Sequence, residues 1–353
     1  TGEFSVSAGF SSADNVVGAV SLTEKNLLGR GQFLRLQVSI SSIRQQVDLR
    51  FTEPYFLDRN MSAGFDLYNT HAVYDEQNYE ADIRGIGLRL GFPLSEFGRM
   101  GLRYTLRQDD VTSSSGGQSL GTTTLSQVGF TYAYDEKDDP IEPKNGFDFT
   151  LSSDLSGVGG DKKYVRTEVS SNWYKRLWMD DLVLNVAAVG GYVLAYGDQQ
   201  LEVNDRFFKG GGSFRGFKTS GLGPRDTSAV DEGQTPLSVG GEAYAIGTVE
   251  LRFPNFLPDE LGIKTSVFSD FGTVGVVADK PPCDNDNLTG VADLDGDGRD
   301  ICIEDNLSLR ASAGLSVYWN SPFGPVRLDF SKVLQKEDYD QTETFRFSAG
   351  TKF

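Results

Sequence analysis

The strongest constraint on the fold is a strict alternation of apolar and polar side chains in many short segments. In residues 100–107, apolar side chains alternate with polar ones that include Arg103 and Arg107. Residues 34–40 and 326–331 repeat the pattern. A period of two is typical of β-strands whose two faces meet different environments. Since charged side chains at every second position need partners or water, the sequence predicts strands around a polar interior.

The connections between these segments alternate in length. Short turns, such as those at residues 26–30, 94–98 and 321–324, are separated by longer polar stretches. This asymmetry is typical of outer-membrane barrels, which have short periplasmic turns and longer outer loops. Aromatic side chains cluster near the short turns, as an interfacial girdle requires. The chain has no apolar run of about 20 residues, which excludes membrane helices but not a barrel.

The predicted fold class is all-β: one transmembrane antiparallel β-barrel domain of about 16 strands, formed by residues 1–353. An even number of strands lets a single chain close antiparallel, with both ends on the periplasmic side. The predicted strands cover residues 3–11, 15–24, 31–42, 45–53, 61–71, 77–92, 99–110, 121–135, 146–156, 163–178, 182–196, 241–254, 262–276, 307–320, 325–334 and 343–353.

Composition excludes several classes of function. The net charge is −17 and no dense patch of lysine and arginine occurs, so binding to nucleic acid is not expected. His71 is the only histidine, which excludes histidine-based triads and multi-histidine metal sites. We therefore predict no enzymatic activity and no required cofactor. Residues 2–7 already have the pattern of a strand and no signal peptide precedes them, so we interpret the chain as a piece of a longer protein.

Both cysteines of the chain lie in one acidic stretch, residues 278–306, which we assign to an outer loop. Cys283 and Cys302 are close enough in sequence to predict a local Cys283–Cys302 disulfide in an oxidising compartment. Such a bond would cross-link the loop to itself and would not involve the core. Two free thiols are the alternative.

The same acidic loop contains a set of carboxylates at regular spacing. Asp293, Asp295, Asp297 and Glu304 match the pattern of a calcium-binding loop. The helices that usually flank such a loop cannot form in a hairpin connection. Calcium binding to this loop is therefore one hypothesis, and a solvated acidic loop is the other.

The connection between residues 197 and 240 is too long for an ordinary hairpin loop. It contains the stretch Gly210-Gly211-Gly212-Ser213-Phe214-Arg215-Gly216-Phe217. This stretch and the glycine-rich blocks that follow it resemble the BamA family of outer-membrane β-barrel assembly factors, whose sixth outer loop carries a [VIL]-R-G-F signature after two glycines. Phe214 stands where the family has Val, Ile or Leu. The family's periplasmic POTRA repeats are missing here, which fits a barrel-only fragment.

The resemblance implies that this connection, residues 197–240 and hereafter loop six, folds back into the lumen as a plug. Strand alternation turns Glu250 and Asp270 inward, and the resemblance implies that both carboxylates contact the loop-six arginine. The contact is expected to hold the wall opposite the seam between the first and last strands. An arginine exposed on a mobile loop is the alternative. The residues of the motif are Gly210, Gly211, Phe214, Arg215, Gly216 and Phe217.

At the seam itself, the resemblance implies a lateral gate. Gly350 has no side chain and weakens strand pairing there. An incoming client strand would add to the first strand by β-augmentation. The predicted gate residues are Phe4, Val6, Phe10, Phe347, Gly350 and Phe353.

The implied function is the insertion and folding of outer-membrane β-barrel proteins in the outer membrane of a Gram-negative bacterium. The implied partners are unfolded outer-membrane proteins, outer-membrane lipids, lipopolysaccharide, and accessory lipoproteins that bind the POTRA repeats. A TamA-like factor or a two-partner-secretion transporter shares the loop-six motif and is the close alternative. A diffusion porin, with a similar strand pattern, is the more distant one.

Overall fold

Sixteen antiparallel strands close into a barrel in the computed structural model of this chain. The structure describes residues 2–11, 15–74, 79–113, 119–179, 181–197, 199–227, 236–254, 261–278, 303–321 and 324–352. The barrel strands are β1 (Gly2–Ser11), β2 (Asn15–Leu27), β3 (Gln32–Ser41), β4 (Arg44–Glu53), β5 (Ser62–Tyr74), β6 (Tyr79–Pro93), β7 (Gly98–Ser113), β8 (Ser119–Asp135), β9 (Gly146–Ser156), β10 (Tyr164–Arg176), β11 (Val183–Ala195), β12 (Ala243–Phe253), β13 (Ile263–Gly275), β14 (Arg310–Ser321), β15 (Gly324–Gln335) and β16 (Phe345–Lys352).

The order of the strands around the barrel follows the chain. Each strand pairs with its sequence neighbours, and β1 pairs with β16 to close the barrel. The predicted 16-strand antiparallel barrel is confirmed. Some strands are longer than predicted. β5 continues to Tyr74, because the ring of Tyr74 stacks on that of Tyr79 across the hairpin, with 4.7 Å between centroids.

The predicted alternation separates a lipid-facing surface from a lumen-facing one. On β7, Leu102 is exposed on the outside, whereas the next residue, Arg103, donates two hydrogen bonds of 2.7 and 2.5 Å to Asp154 of β9. Gly129 of the intervening strand β8 leaves room for this pair, since a Cβ there would lie 2.0 Å from Asp154 Oδ1. The charges of Arg103 and Asp154 are thus paired across strands inside the barrel, as burial requires.

At the short-turn end, the connection between β8 and β9, residues 136–145, is bound to the wall formed by β12 and β13. Arg252 of β12 donates a hydrogen bond of 2.7 Å to the carbonyl oxygen of Pro143. Lys264 of β13 forms an ion pair with Glu142. This turn is therefore anchored at the rim of the lumen.

At the long-loop end, three two-residue strands form a small separate sheet. They join loop six to the connection between β13 and β14. No helix within the described ranges is both long and apolar enough to cross a membrane. The three short strands are Arg225–Asp226, Leu237–Ser238 and Ile303–Glu304.

Candidate functional site in loop six and at the seam

Loop six places its aromatic side chains inside the barrel. Phe207, Phe214 and Phe217 are at most 2% exposed. They belong to a buried apolar cluster that includes side chains of β11, β12 and β13. Phe214 and Phe217 meet edge to face, with 5.1 Å between ring centroids. The geometry is that of a plug packed against the inner wall.

Arg215 binds three strands of the wall at once. Its Nε and Nη2 each donate a hydrogen bond of 2.8 Å to one carboxylate oxygen of Asp270 on β13. Its Nη1 donates to Glu250 on β12 at 2.8 Å and to Ser316 on β14 at 3.3 Å. The guanidinium carbon lies 3.5 Å from the ring centroid of Phe268. The structure therefore brings the predicted residues Arg215, Glu250 and Asp270 together.

The backbone of Arg215 strengthens this attachment. Its N–H donates to Asp270 Oδ2 at 3.0 Å, and its carbonyl oxygen accepts a hydrogen bond of 2.5 Å from the hydroxyl of Ser312. Burial by itself disfavours the charged guanidinium, but the hydrogen bonds and charges of Asp270 and Glu250 outweigh it and raise the pKa of Arg215 above its usual value. Arg215 is thus a fixed positive charge in the lumen.

The alternation of β12 and β13 positions the two carboxylates. Val249 and Phe271, each adjacent in sequence to one of them, are exposed on the outside of the barrel, so Glu250 and Asp270 face inward. The hydroxyl of Thr248 donates a further hydrogen bond of 2.8 Å to Asp270. Sequence reasoning found these carboxylates but missed Ser312 and Ser316, because small hydroxyl residues in a strand carry no distinctive signal.

Two glycines of the motif are required by their backbone conformation and by space. Gly216 has φ of 94°, and a Cβ there would lie 3.1 Å from side-chain carbons of Ser312 and Val333. Gly210 has φ of 132°, and a Cβ there would lie 2.1 Å from the carbonyl oxygen of Lys218. Only glycine fits these positions without strain. They allow the chain to turn close to the wall on both sides of Arg215.

A second charged contact, which the sequence did not reveal, fixes the start of loop six. Lys162, in the connection between β9 and β10, is 5% exposed. Its Nζ lies 2.9 Å from a carboxylate oxygen of both Asp205 and Glu202 in loop six, and 3.6 Å from Asp109 of β7. Burial opposes the charge on Lys162, but the charges of Asp205 and Glu202 raise its pKa above the usual value. We call these four residues the Lys162 cluster.

The seam between β1 and β16 is short. The described ladder pairs five residues of each strand, from Ser7 with Lys352 to Ser11 with Ser348, whereas β1 and β2 pair ten. Gly9 lies opposite Gly350, so two residues without side chains meet in the middle of the seam. Backbone pairing alone holds this position.

The predicted gate residues on β1 lie on its lipid-facing side. Phe4 is 67% exposed, and Val6 and Phe10 are also exposed. Phe10 contacts Phe347 of β16, with 5.9 Å between ring centroids. Phe353 lies outside the described residues. Phe4 and Val6 belong to a segment of β1 that has no described partner on β16.

One expectation about loop six is wrong. Arg215 does not hold the wall opposite the seam, which in this order of strands lies at β8 and β9. Its partners are on β12, β13 and β14, and β14 is separated from β16 only by β15. The last strand, β16, closes the barrel against β1, so the strands just before it in the chain also lie close to the seam.

The predicted disulfide and most of the predicted calcium ligands lie outside the described residues. This applies to Cys283, Cys302, Asp293, Asp295 and Asp297, so both hypotheses stay predictions. The remaining ligand, Glu304, is described. It is exposed and lies in the small sheet, opposite Arg225.

Comparison with known proteins gives the family. A family model described as the Omp85 superfamily domain matches residues 26–353. The chain belongs to the Omp85 superfamily. It is similar to the outer membrane protein assembly factor BamA of Neorickettsia risticii (strain Illinois), with 27% identity over 369 residues, covering 100% of this chain and 45% of the relative. BamA of Neisseria meningitidis serogroup B is 26% identical over 385 residues, covering 100% of this chain and 47% of the relative.

The same relationship is visible in the fold. The crystal structure of BamA from Haemophilus ducreyi lacking POTRA domains 1–3 superimposes with a TM-score of 0.85 and 23% sequence identity, covering 100% of this chain and 70% of that one. The chain spans about half the length of the curated relatives it matches. As an Omp85 barrel homologous to BamA, it is an integral protein of the outer membrane of a Gram-negative bacterium.

Proposed function

We propose that this protein inserts and folds outer-membrane β-barrel proteins through a lateral gate at the seam between β1 and β16. The observation that carries the proposal is the seam, where the described ladder joins five residues of each strand and Gly9 and Gly350 face each other. The similarity to BamA assembly factors supports the same class of activity. The proposed activity is that of the whole protein, to which this barrel contributes the gate.

The first strand supplies the template. Residues 2–11 of β1 pair with β2 on one side, and the edge that pairs with β16 through residues 7–11 becomes free when the seam opens. Such a strand edge can hydrogen bond to an incoming strand through its backbone, independently of side-chain sequence. This suits a factor that has to accept many different clients.

The gate mechanism needs no covalent chemistry. Backbone hydrogen bonds form between β1 and the client strand, further client strands add in turn, and closure of the new barrel releases it. In the proposal the protein is not an enzyme and requires no cofactor. Its partners are unfolded outer-membrane proteins, the surrounding lipids and lipopolysaccharide, and accessory lipoproteins that bind POTRA repeats upstream of the barrel.

Loop six has a distinct role in this proposal. By tying Arg215 to β12, β13 and β14, it stiffens the wall on the C-terminal side of the seam. A stiff wall there confines movement to β15 and β16. The seam then opens as a local event while the rest of the barrel stays closed.

A disulfide across the seam tests the proposal. Phe10 and Ala349 face each other in the ladder, and Phe10→Cys with Ala349→Cys places two thiols at neighbouring positions. Native thiols are removed by Cys283→Ser and Cys302→Ser. We expect that oxidation stops assembly of a client barrel in cells that have no other copy of the protein, and that a reductant restores it.

The matched control is a cysteine pair in a ladder that has to stay closed. Val38 and Val47 pair between β3 and β4 and are also lipid-facing, so Val38→Cys with Val47→Cys tests the effect of a disulfide elsewhere in the wall. This control should assemble clients normally when oxidised. Unimpaired assembly by the oxidised seam pair would overturn the gate.

A further inference from the structure

The segment that leads into the last strand is paired with loop six. Gln341 accepts a backbone hydrogen bond of 3.0 Å from the N–H of Lys218 and donates one of 2.9 Å to the carbonyl oxygen of Gly221. Two residues later, the N–H of Glu343 donates to the carbonyl oxygen of Gly216 at 2.9 Å. Residues 341–343 and 216–221 therefore form a short antiparallel ladder between the plug and the approach to β16.

A side chain of β16 itself continues this contact. Arg346 Nη2 donates a hydrogen bond of 3.2 Å to the hydroxyl of Thr219 in loop six, and its Nε donates to Glu343 at 2.5 Å. Gly211 makes room for the guanidinium, since a Cβ there would lie 2.7 Å from Arg346 Nη2. The last strand thus contacts loop six at Gly211 and Thr219, on both sides of Arg215 in the sequence.

The pairing of β16 within the barrel is unusually sparse. In the described ladders it pairs with β15 through residues 345–349 and with β1 through residues 348–352. Only Ser348 and Ala349 are paired on both sides. Each of these two ladders joins five residue pairs, whereas the other ladders of the barrel join between eight and fifteen. Contacts from outside the wall therefore add to the few ladder pairs described for β16.

We propose that loop six holds the outer end of β16, residues 345–347, beside the closed seam, with Arg346 as the positioning residue and Thr219 as its acceptor. Opening of the seam then requires release of the contact between Arg346 and Thr219 and of the ladder at residues 341–343. The attachment of Arg215 to β12, β13 and β14 stays intact during opening. This inference rests on the proposed gate and names the residues that control it.

Hydrogen exchange in lipid nanodiscs tests the inference, because the amides of a strand exchange when the strand opens locally. Thr219→Val removes the acceptor and keeps the bond between Arg346 and Glu343. Arg346→Ala removes both bonds. We expect exchange of the amides in residues 345–352 to become about three- to tenfold faster in Thr219→Val, as the loss of one hydrogen bond predicts, and at least as fast again in Arg346→Ala, which loses two. Arg346→Lys, which can still reach one acceptor, should restore part of the protection.

The matched control is Thr131→Val. Thr131 of β8 also accepts a hydrogen bond from an arginine, Arg103, at 2.5 Å, but lies on the wall opposite the seam. It should leave exchange of residues 345–352 unchanged. If Arg346→Ala fails to fold, Thr219→Val decides the outcome alone, since Thr219 is exposed and its substitution leaves the barrel wall intact.

Different measurements would contradict the role of loop six and the lateral gate. Unchanged exchange of residues 345–352 in Thr219→Val and Arg346→Ala would overturn the role of loop six, even if the oxidised seam pair blocks client assembly. Faster exchange in both variants would support that role. If the oxidised seam pair still assembles clients, the gate fails while the contact between loop six and β16 stands.

Discussion

Arg215 shows how one side chain can attach a loop to the inside of a barrel. Its planar fork of donors matches the two oxygens of Asp270 and leaves Nη1 for Glu250. A lysine would present one compact charge without this geometry. Asp270 is only 2% exposed, so its charge depends on Arg215 for compensation.

Removal of the Arg215 guanidinium should destabilise the barrel strongly. Arg215→Ala leaves the carboxylate of Asp270 buried without its main partner, and we expect a loss of about 3–5 kcal/mol in the free energy of unfolding. Arg215→Lys should lose less, because it keeps the charge but not the two parallel bonds. Urea unfolding in lipid vesicles measures both losses.

Two further variants control this experiment. Arg84→Ala removes an exposed arginine of β6 and should change the free energy of unfolding by less than about 0.5 kcal/mol. In Arg215→Ala, the additional change Asp270→Asn neutralises the uncompensated carboxylate and should recover part of the loss. Equal stability of Arg215→Ala and the unaltered protein would show that the contact does not stabilise the fold.

Residues on strands were more predictable than residues on loops. Glu250 and Asp270 could be assigned to the lumen because each lies in a run of alternating side chains. Lys162 and Asp205 could not, since they lie in two different connections and 43 positions apart. No local pattern marks a lysine whose partners are brought to it only by closure of the barrel.

At the level of elements, loop six is attached to the barrel at three places. The Lys162 cluster fixes its start to β7, Arg215 fixes its centre to β12, β13 and β14, and residues 216–221 pair with the approach to β16. The attachment to β7 lies across the lumen from the other two, which are close together near the seam. The loop therefore spans the barrel rather than lying against one wall.

Loss of the Lys162 ammonium should loosen the start of loop six. In Lys162→Ala, the carboxylate of Asp205 stays buried and loses its cation, while Asp109 keeps its ion pair with Arg107 at 2.7 Å. We expect a loss of about 3–5 kcal/mol in the free energy of unfolding. Adding Asp205→Asn to Lys162→Ala should recover part of it, because one buried charge is then removed.

The neighbouring lysine provides the control. Lys163→Ala changes the same connection without removing a member of the Lys162 cluster, and it should alter stability by less than about 1 kcal/mol. The two variants are compared by urea unfolding in the same vesicles. If Lys163→Ala and Lys162→Ala lose the same amount, the effect belongs to the connection and not to the buried charges.

The strands themselves were predictable almost to their ends, whereas the path of loop six was not. Period-two alternation marks each strand, and an exposed turn marks its end. The ladder between residues 216–221 and 341–343 leaves no comparable signal, because its bonds join backbone groups. Such pairing depends on where the barrel brings two distant connections, and the sequence does not specify this locally.

At the scale of the whole molecule, the barrel combines a loop folded into its lumen with a short described ladder at the seam. Porins of about 16 to 18 strands enclose an aqueous channel. In this barrel, the buried aromatic residues of loop six and the Arg215 contacts lie within the same space. A closed wall with a plug is what the proposed action at the seam requires, whereas a diffusion pore requires an open lumen.

Planar-bilayer conductance distinguishes these two kinds of barrel. We expect the unaltered protein to show small and irregular conductance, because loop six obstructs the lumen. Arg215→Ala should increase the frequency of larger openings, since the plug loses its central attachment, while Arg84→Ala should behave as the unaltered protein does. A large and stable conductance in the unaltered protein would instead indicate an open lumen, and the diffusion pore would then be the better description of this barrel.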